Sequence, residues 1–136
     1  MAEMRKAFVS AVIIVAFTAC SDGVTGVKTI TGDWELRTVN GSSLPFTVSS
    51  SGSNKTEILD DVISFYEGFT FSETVHLRVT LNGQQSTVTN TETGAFSVFG
   101  TSVTLTGNSG ALARRGLIEG NTMTLAENGQ ISAYKK

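Results

Sequence analysis

The side chains suited to chemistry are few here, and their spacing excludes most reaction types. His76 is the one histidine among 136 residues. Strand parity puts it with Thr74 and Arg78 on a solvent face, with no His, Cys or acidic partner at metal-ligand spacing. Cys20 is the one cysteine, so it has no disulfide partner within the chain; its place at the end of an apolar leader, where lipidation is the economical use of a thiol, disfavours a Cys–His nucleophilic pair. Asp60 and Asp61 are adjacent; neighbours on a strand face opposite sides, so these two carboxylates do not form a dyad, and their spacing is not that of a calcium loop. Arg114 and Arg115 alternate in the same way, so one at most faces a ligand, as a weak anion site, and a solvated turn flank is the reading preferred. No Gly-x-Ser-x-Gly elbow, P-loop or dinucleotide fingerprint occurs. The expectation is a protein that is not an enzyme and carries neither cofactor nor metal.

The elements that position these residues begin after a leader. Arg5 and Lys6 precede an apolar run over Phe8–Phe17, and Thr18-Ala19-Cys20 closes it with small residues. That is the charged, apolar and cleavage-site order of a secretory signal, and the run is shorter than the roughly 20 residues of a membrane-spanning helix. Residues 1–19 read as the signal, 20–31 as a tether and 32–136 as one folded domain. As a flexible coil, Ser21–Thr31 reaches roughly 15–20 Å. Losing the signal removes two of the ten basic residues and one of the twelve acidic ones, so the net charge moves from −2 to about −3. Such a surface, without a basic stripe, disfavours nucleic acid and anionic headgroups as partners.

Within the domain, 14 glycines, one proline and many Thr and Ser favour short strands joined by turns. Trp34, Leu36 and Thr38 share one strand face. Asn40-Gly41 turns the chain back toward Leu44-Pro45-Phe46 at a sheet edge or bulge. Ser49–Lys55 reads as a polar, flexible loop, and a bulge or strand start is expected near Asp61. Phe69, Phe71, Val75, Leu77, Val79 and Leu81 share one parity, interrupted by Glu73. The preferred reading is that the strand bends or exits at Glu73, because an unpaired buried carboxylate is costly; the alternative is a carboxylate aimed inward. Asn82-Gly83 closes a hairpin whose second arm, Gln84–Thr93, holds one aliphatic residue, Val88. That arm reads as exposed or projecting. Val98–Leu105 and Ile118–Leu125 echo each other, each with a glycine, Gly100 or Gly120, expected at positive φ. Eight to ten antiparallel strands without a helix form either an up-and-down barrel or a sandwich.

Two resemblances sharpen this reading. Phe17-Thr18-Ala19-Cys20 resembles the bacterial lipobox, with Phe17 where an aliphatic residue is usual. It implies lipidation of Cys20, and Ser21 after it implies outer-membrane sorting in a cell with two membranes. Gly32-x-Trp34-x-Leu36-x-x-Val39-Asn40-Gly41-x-x-Leu44-Pro45-Phe46, the hairpin Gly94–Leu105 and Tyr134 resemble small bacterial lipocalin-like domains. The resemblance implies an all-β, up-and-down meander closed into a small lipocalin-like barrel, although a C-terminal helix is not recognisable. The expected protein is a monomeric envelope lipoprotein, anchored by its lipid and binding a small apolar or amphipathic molecule in the barrel mouth. Trp34, Leu36, Phe69, Phe71, Val75, Leu77, Phe96, Val103, Leu105 and Met123 are its expected lining and equally its expected core. The rival expectation is a structural or interaction module of the envelope with a filled core and no small ligand.

Overall fold

The computed structural model describes residues 30–110 and 113–136. The leader, Cys20 and the tether as far as residue 29 lie outside the described residues. The domain is all-β, with strands β1 (Gly32–Val39), β2 (Ser42–Ser43), β3 (Phe46–Ser51), β4 (Asn54–Phe65), β5 (Thr70–Leu81), β6 (Gln84–Phe99), β7 (Ser102–Gly107), β8 (Arg114–Glu119), β9 (Thr122–Glu127) and β10 (Gln130–Lys135). Sequential antiparallel pairing runs from β4 through β10, β10 pairs with β1, and the first half of β1 pairs with the last residues of β4. These eight strands form a closed barrel, which leaves no free edge around its wall; β2 and β3 are additional.

The turns follow the glycine and asparagine positions. Asn40, Asn82 and Asn128 have φ near +50°, and each precedes a glycine at positive φ, the combination that suits a two-residue hairpin. Gly100 and Gly120 sit at φ +60° and +62°, as their place in the internal echo required. The echoed pairs Val103 and Leu105, Met123 and Leu125 all face the core.

Two bulges reset the parity read from the sequence. One in β1, between Leu36 and Thr38, lets Val39 rather than Thr38 follow Trp34 and Leu36 into the core. The other, between Ile58 and Asp60 in β4, keeps Asp61 inward and Asp60 outward, in agreement with the bulge expected there. Beyond its pairing with β4, β1 takes β2 as its neighbour, while β4 diverges and takes β3. The β2–β3 corner, with the cis Leu44–Pro45 peptide, fills the gap with Leu44 and Phe46, which pack against the core. Ser49–Lys55 is not a loop: Ser49, Ser50 and Ser51 pair with Thr56, Lys55 and Asn54, since a serine backbone joins a ladder as any other does.

The barrel has two unlike ends. At the end where β1 starts and β10 finishes, the interior is occupied by Trp34, Ile63, Phe65, Phe71 and Phe96, with Ile30 below them. The Trp34 indole N–H donates to the Ile30 carbonyl at 2.7 Å, and the Phe65 and Phe96 rings meet edge to face at 4.9 Å, a favoured aromatic geometry. At the other end β4, β5 and β6 outrun the short barrel strands. Gln84–Thr93 pairs with β5 alone and is exposed over most of its length, so a hairpin arm of roughly 30 Å projects past the rim. On the β4 strand beside this arm, Glu57 is buried and bridged to Arg78 of β5 at 2.8 Å and to Lys55 at 2.6 Å. These bonds hold the Glu57 carboxyl down to about 2.

Candidate functional site

The site is built where apolar strand faces give way to charge at the open end of the barrel. Glu73 does not mark a bend. It stays on the inward face of β5, opposite Ile63 of β4, and is buried. What makes this tolerable is Arg114, the first residue of β8. Its two terminal nitrogens donate to the two Glu73 carboxylate oxygens, each at 2.6 Å, the bidentate match that a guanidinium plane offers a carboxylate. Arg114 is thus an inward, nearly buried cation rather than a solvated turn flank, while Arg115 faces out. Its guanidinium carbon lies 6.0 Å from the centre of the Phe71 ring, so it also caps the aromatic layer. Burial opposes the charge of Arg114, but the hydrogen bonds and charge of Glu73 outweigh it and leave its pKa raised.

Around this pair stand further acids. The closest approaches of Arg114 to Glu92 and to Glu127 are both 4.0 Å. Glu92 accepts a hydrogen bond from the Ser109 hydroxyl and occupies the space beside Gly107, where a Cβ would stand 1.9 Å from its Oε1; glycine is required there by that close approach. Asp61 faces Glu73 from the neighbouring strand. Its Oδ2 accepts a hydrogen bond from the Tyr134 hydroxyl at 2.7 Å, whereas its Oδ1 is buried with no donor to it among the described residues. Burial, and then the charge of Glu73, push the Asp61 carboxyl up to about 8, against the opposing Tyr134 hydrogen bond and with a smaller contribution from a hydrogen bond of the neutral carboxyl to Glu73. Burial, followed by the charges of Asp61 and Glu73, raises the Tyr134 hydroxyl as well.

These groups border a cavity of about 210 Å³ in the barrel mouth. Its walls combine the apolar Leu36, Ile58, Val75 and Leu125 with Asp61, Glu73, Arg114, Tyr134 and the rim residues Glu127 and Ser132. Sites for drug-sized molecules measure about 300–1,000 Å³, so this one suits a small molecule or the head of a larger one.

Of the ten residues expected as lining, Leu36 and Val75 border this cavity. Trp34, Phe71, Phe96, Val103, Leu105 and Met123 are buried in the core and outside the cavity wall. Leu77 continues the inward face of β5 on the projecting strands, half-buried beside Ile58 and Val88. Phe69 is not beside Phe71 in the core. It sits in the β4–β5 turn at φ +58°, 49% exposed, with its ring 5.8 Å from Phe96, because strand parity does not extend through a turn. His76 is on the outer face as expected, although Asp60 across the ladder meets its Nδ1 at 2.5 Å. The sequence reading missed the charged cluster. The available signal was two opposite charges, Glu73 and one of Arg114 and Arg115, each on an inward parity. In comparisons with known proteins, no family model and no curated protein sequence matches this chain.

Proposed function

We propose that this protein is an envelope lipoprotein, tethered through Cys20 to the outer membrane, that binds a small amphipathic molecule non-covalently in the mouth of its barrel. The observation that carries the binding reading is the mouth cavity, in which apolar walls meet buried polar groups, including an Asp61 oxygen that no donor among the described residues reaches. Concave sites with few, fixed polar groups are the usual form of a small-molecule site. Because the aromatic end is occupied by side chains, the ligand sits in the mouth and not along the barrel axis. The tether reading rests on the leader and the lipobox resemblance. Several acyl chains, each stabilised by about 0.8 kcal/mol per buried CH₂, are sufficient to hold the protein at a bilayer.

A panel of short-chain alcohols, amines and acids, titrated calorimetrically into the full chain, tests the binding. At least one class is expected to bind saturably, and Val75→Phe, which places a ring in the mouth, is expected to abolish that binding without loss of β-structure. If no class binds, the barrel is the structural or interaction module that its occupied core favours, with Val48, Leu81 and Val88 exposed on β3, β5 and β6 as contact residues. Separately, Cys20→Ser is expected to move the folded protein out of the membrane fraction. Retention after a high-salt wash, with the leader processed, would overturn the tether.

A further inference from the structure

We propose that the mouth cavity selects an organic cation, a primary ammonium on a short apolar body, with Asp61 and Glu127 as its acidic ligands. The inference deepens the mouth-binding reading and rests on it. Among the described residues, four carboxyl groups border the cavity, on Asp61, Glu73, Glu92 and Glu127, against one guanidinium, on Arg114. That guanidinium is already engaged. Two of its nitrogens are committed to Glu73, and its remaining reach toward Glu92 and Glu127 is 4.0 Å in each case, longer than a hydrogen bond. An anionic ligand would have to displace Glu73 from Arg114 and then share the mouth with the other carboxyl groups.

The open acceptors, by contrast, are all of one kind. Asp61 is 6% exposed and lines the cavity, and no donor among the described residues reaches its Oδ1. Its carboxyl stays neutral up to about pH 8 and bonds toward Glu73, so it accepts from a ligand only once ionised. A buried acceptor left unsatisfied is unfavourable, and a donor entering the mouth would remove that penalty. Glu127 stands on the rim with its side chain about half exposed, and Ser132 and Gln130 add neutral oxygens. An ammonium group carries three donors and no acceptor, which matches the carboxylate oxygens of Asp61 and Glu127 together with the oxygens of Ser132 and Gln130. Among the described residues no three His, Cys, Asp or Glu side chains converge as a metal site. The positive charge is therefore better supplied by a nitrogen than by a metal ion. Leu36, Ile58, Val75 and Leu125 then offer an apolar wall to the carbon body behind it.

The experiment titrates n-hexylamine, n-hexanol and hexanoate into the full chain at about pH 9, above the range in which Asp61 holds its proton and below that of an alkylammonium, which resembles lysine. These probes share a tail and differ in the charge of the head. Hexylamine is expected to bind saturably, about tenfold or more tighter than hexanol, the equivalent of one charge-assisted hydrogen bond, and hexanoate is expected to give no response. Glu127→Gln, on the exposed rim, should leave folding intact and weaken hexylamine while sparing hexanol. Asp61→Asn should weaken hexylamine further. Should Asp61→Asn fail to fold, Glu127→Gln still decides the question. Hexanol or hexanoate binding as tightly as the amine would overturn the charge selection and leave mouth binding standing. Hexylamine binding that is unchanged in Glu127→Gln would also overturn it. If no probe binds, both readings fall together.

Discussion

Asp61 and Arg114 carry opposite burdens in the mouth, and each makes a measurable prediction. Asp61 titrates near 4 in an unfolded chain and near 8 in the fold, where burial and Glu73 favour its neutral form. Between those values the folded state holds more protons than the unfolded one. Stability therefore falls as pH rises across this window, by up to about 1.4 kcal/mol per unit. Asp61→Asn keeps the shape and removes the titration. It is expected to flatten that slope and to be more stable than the parent above pH 8, as read by urea unfolding at several pH values. A slope unchanged in the variant would place the titration elsewhere. Arg114 presents the reverse case. Its removal leaves the Glu73 carboxylate buried without its bidentate partner. Arg114→Met is expected to destabilise by about 3–5 kcal/mol, as loss of one member of a buried ion pair does. Adding Glu73→Gln should recover part of that loss. An additive double variant would argue against the pairing.

At the scale of elements, the barrel is a set of short hairpins whose turns dictate backbone sign. Gly100 and Gly120 have open space where a Cβ would stand, so only the positive φ restricts the residue. Gly100→Val and Gly120→Val are expected to destabilise by more than about 1 kcal/mol each, because a β-branched residue is strained in that region. Asparagine at either position should cost less, as it does not resist positive φ in the same way. Thermal unfolding of the four variants checks the order. The projecting arm behaves differently. Val88 is 40% exposed on β6, away from the barrel wall, and Val88→Thr is expected to shift stability within about 0.5 kcal/mol, the usual range for surface changes.

For the molecule as a whole, the two ends of the barrel divide its labour between packing and an open mouth. Trp34 belongs to the packed end: fully buried, hydrogen-bonded to Ile30, with the Lys136 ammonium 5.8 Å from the centre of its ring. Trp34→Ala is expected to destabilise by about 3–5 kcal/mol, as other large aromatic truncations in cores do. Since the indole lines no part of the mouth cavity, a ligand there should raise the melting temperature by mass action while leaving Trp34 emission unchanged. A ligand that shifts Trp34 emission would instead have entered the aromatic layer, and the division between the two ends would be wrong.

Period-two runs and Asn-Gly or Gly-containing turns determine a meander of antiparallel strands here, because a strand's alternation and a tight turn's φ are local properties of a few residues. The inward places of Leu36, Phe71, Leu105 and Met123, the outward place of His76 and the opposed directions of Asp60 and Asp61 follow from that local geometry. Where locality ends, the reading ends with it. A bulge exchanges Thr38 for Val39 at the core, and a turn turns Phe69 outward, since one added residue or one positive φ reverses parity without a marked change in composition. The charged mouth lies further out of reach. Glu73 meets Arg114 across 41 residues, and Asp61 meets Tyr134 across 73. Each of these groups alone is unfavourable inside a barrel, and their burial becomes tolerable only through a partner that strand order and closure deliver. Tertiary structure therefore decides that the interior is filled with aromatic rings at one end and opens among carboxylates at the other.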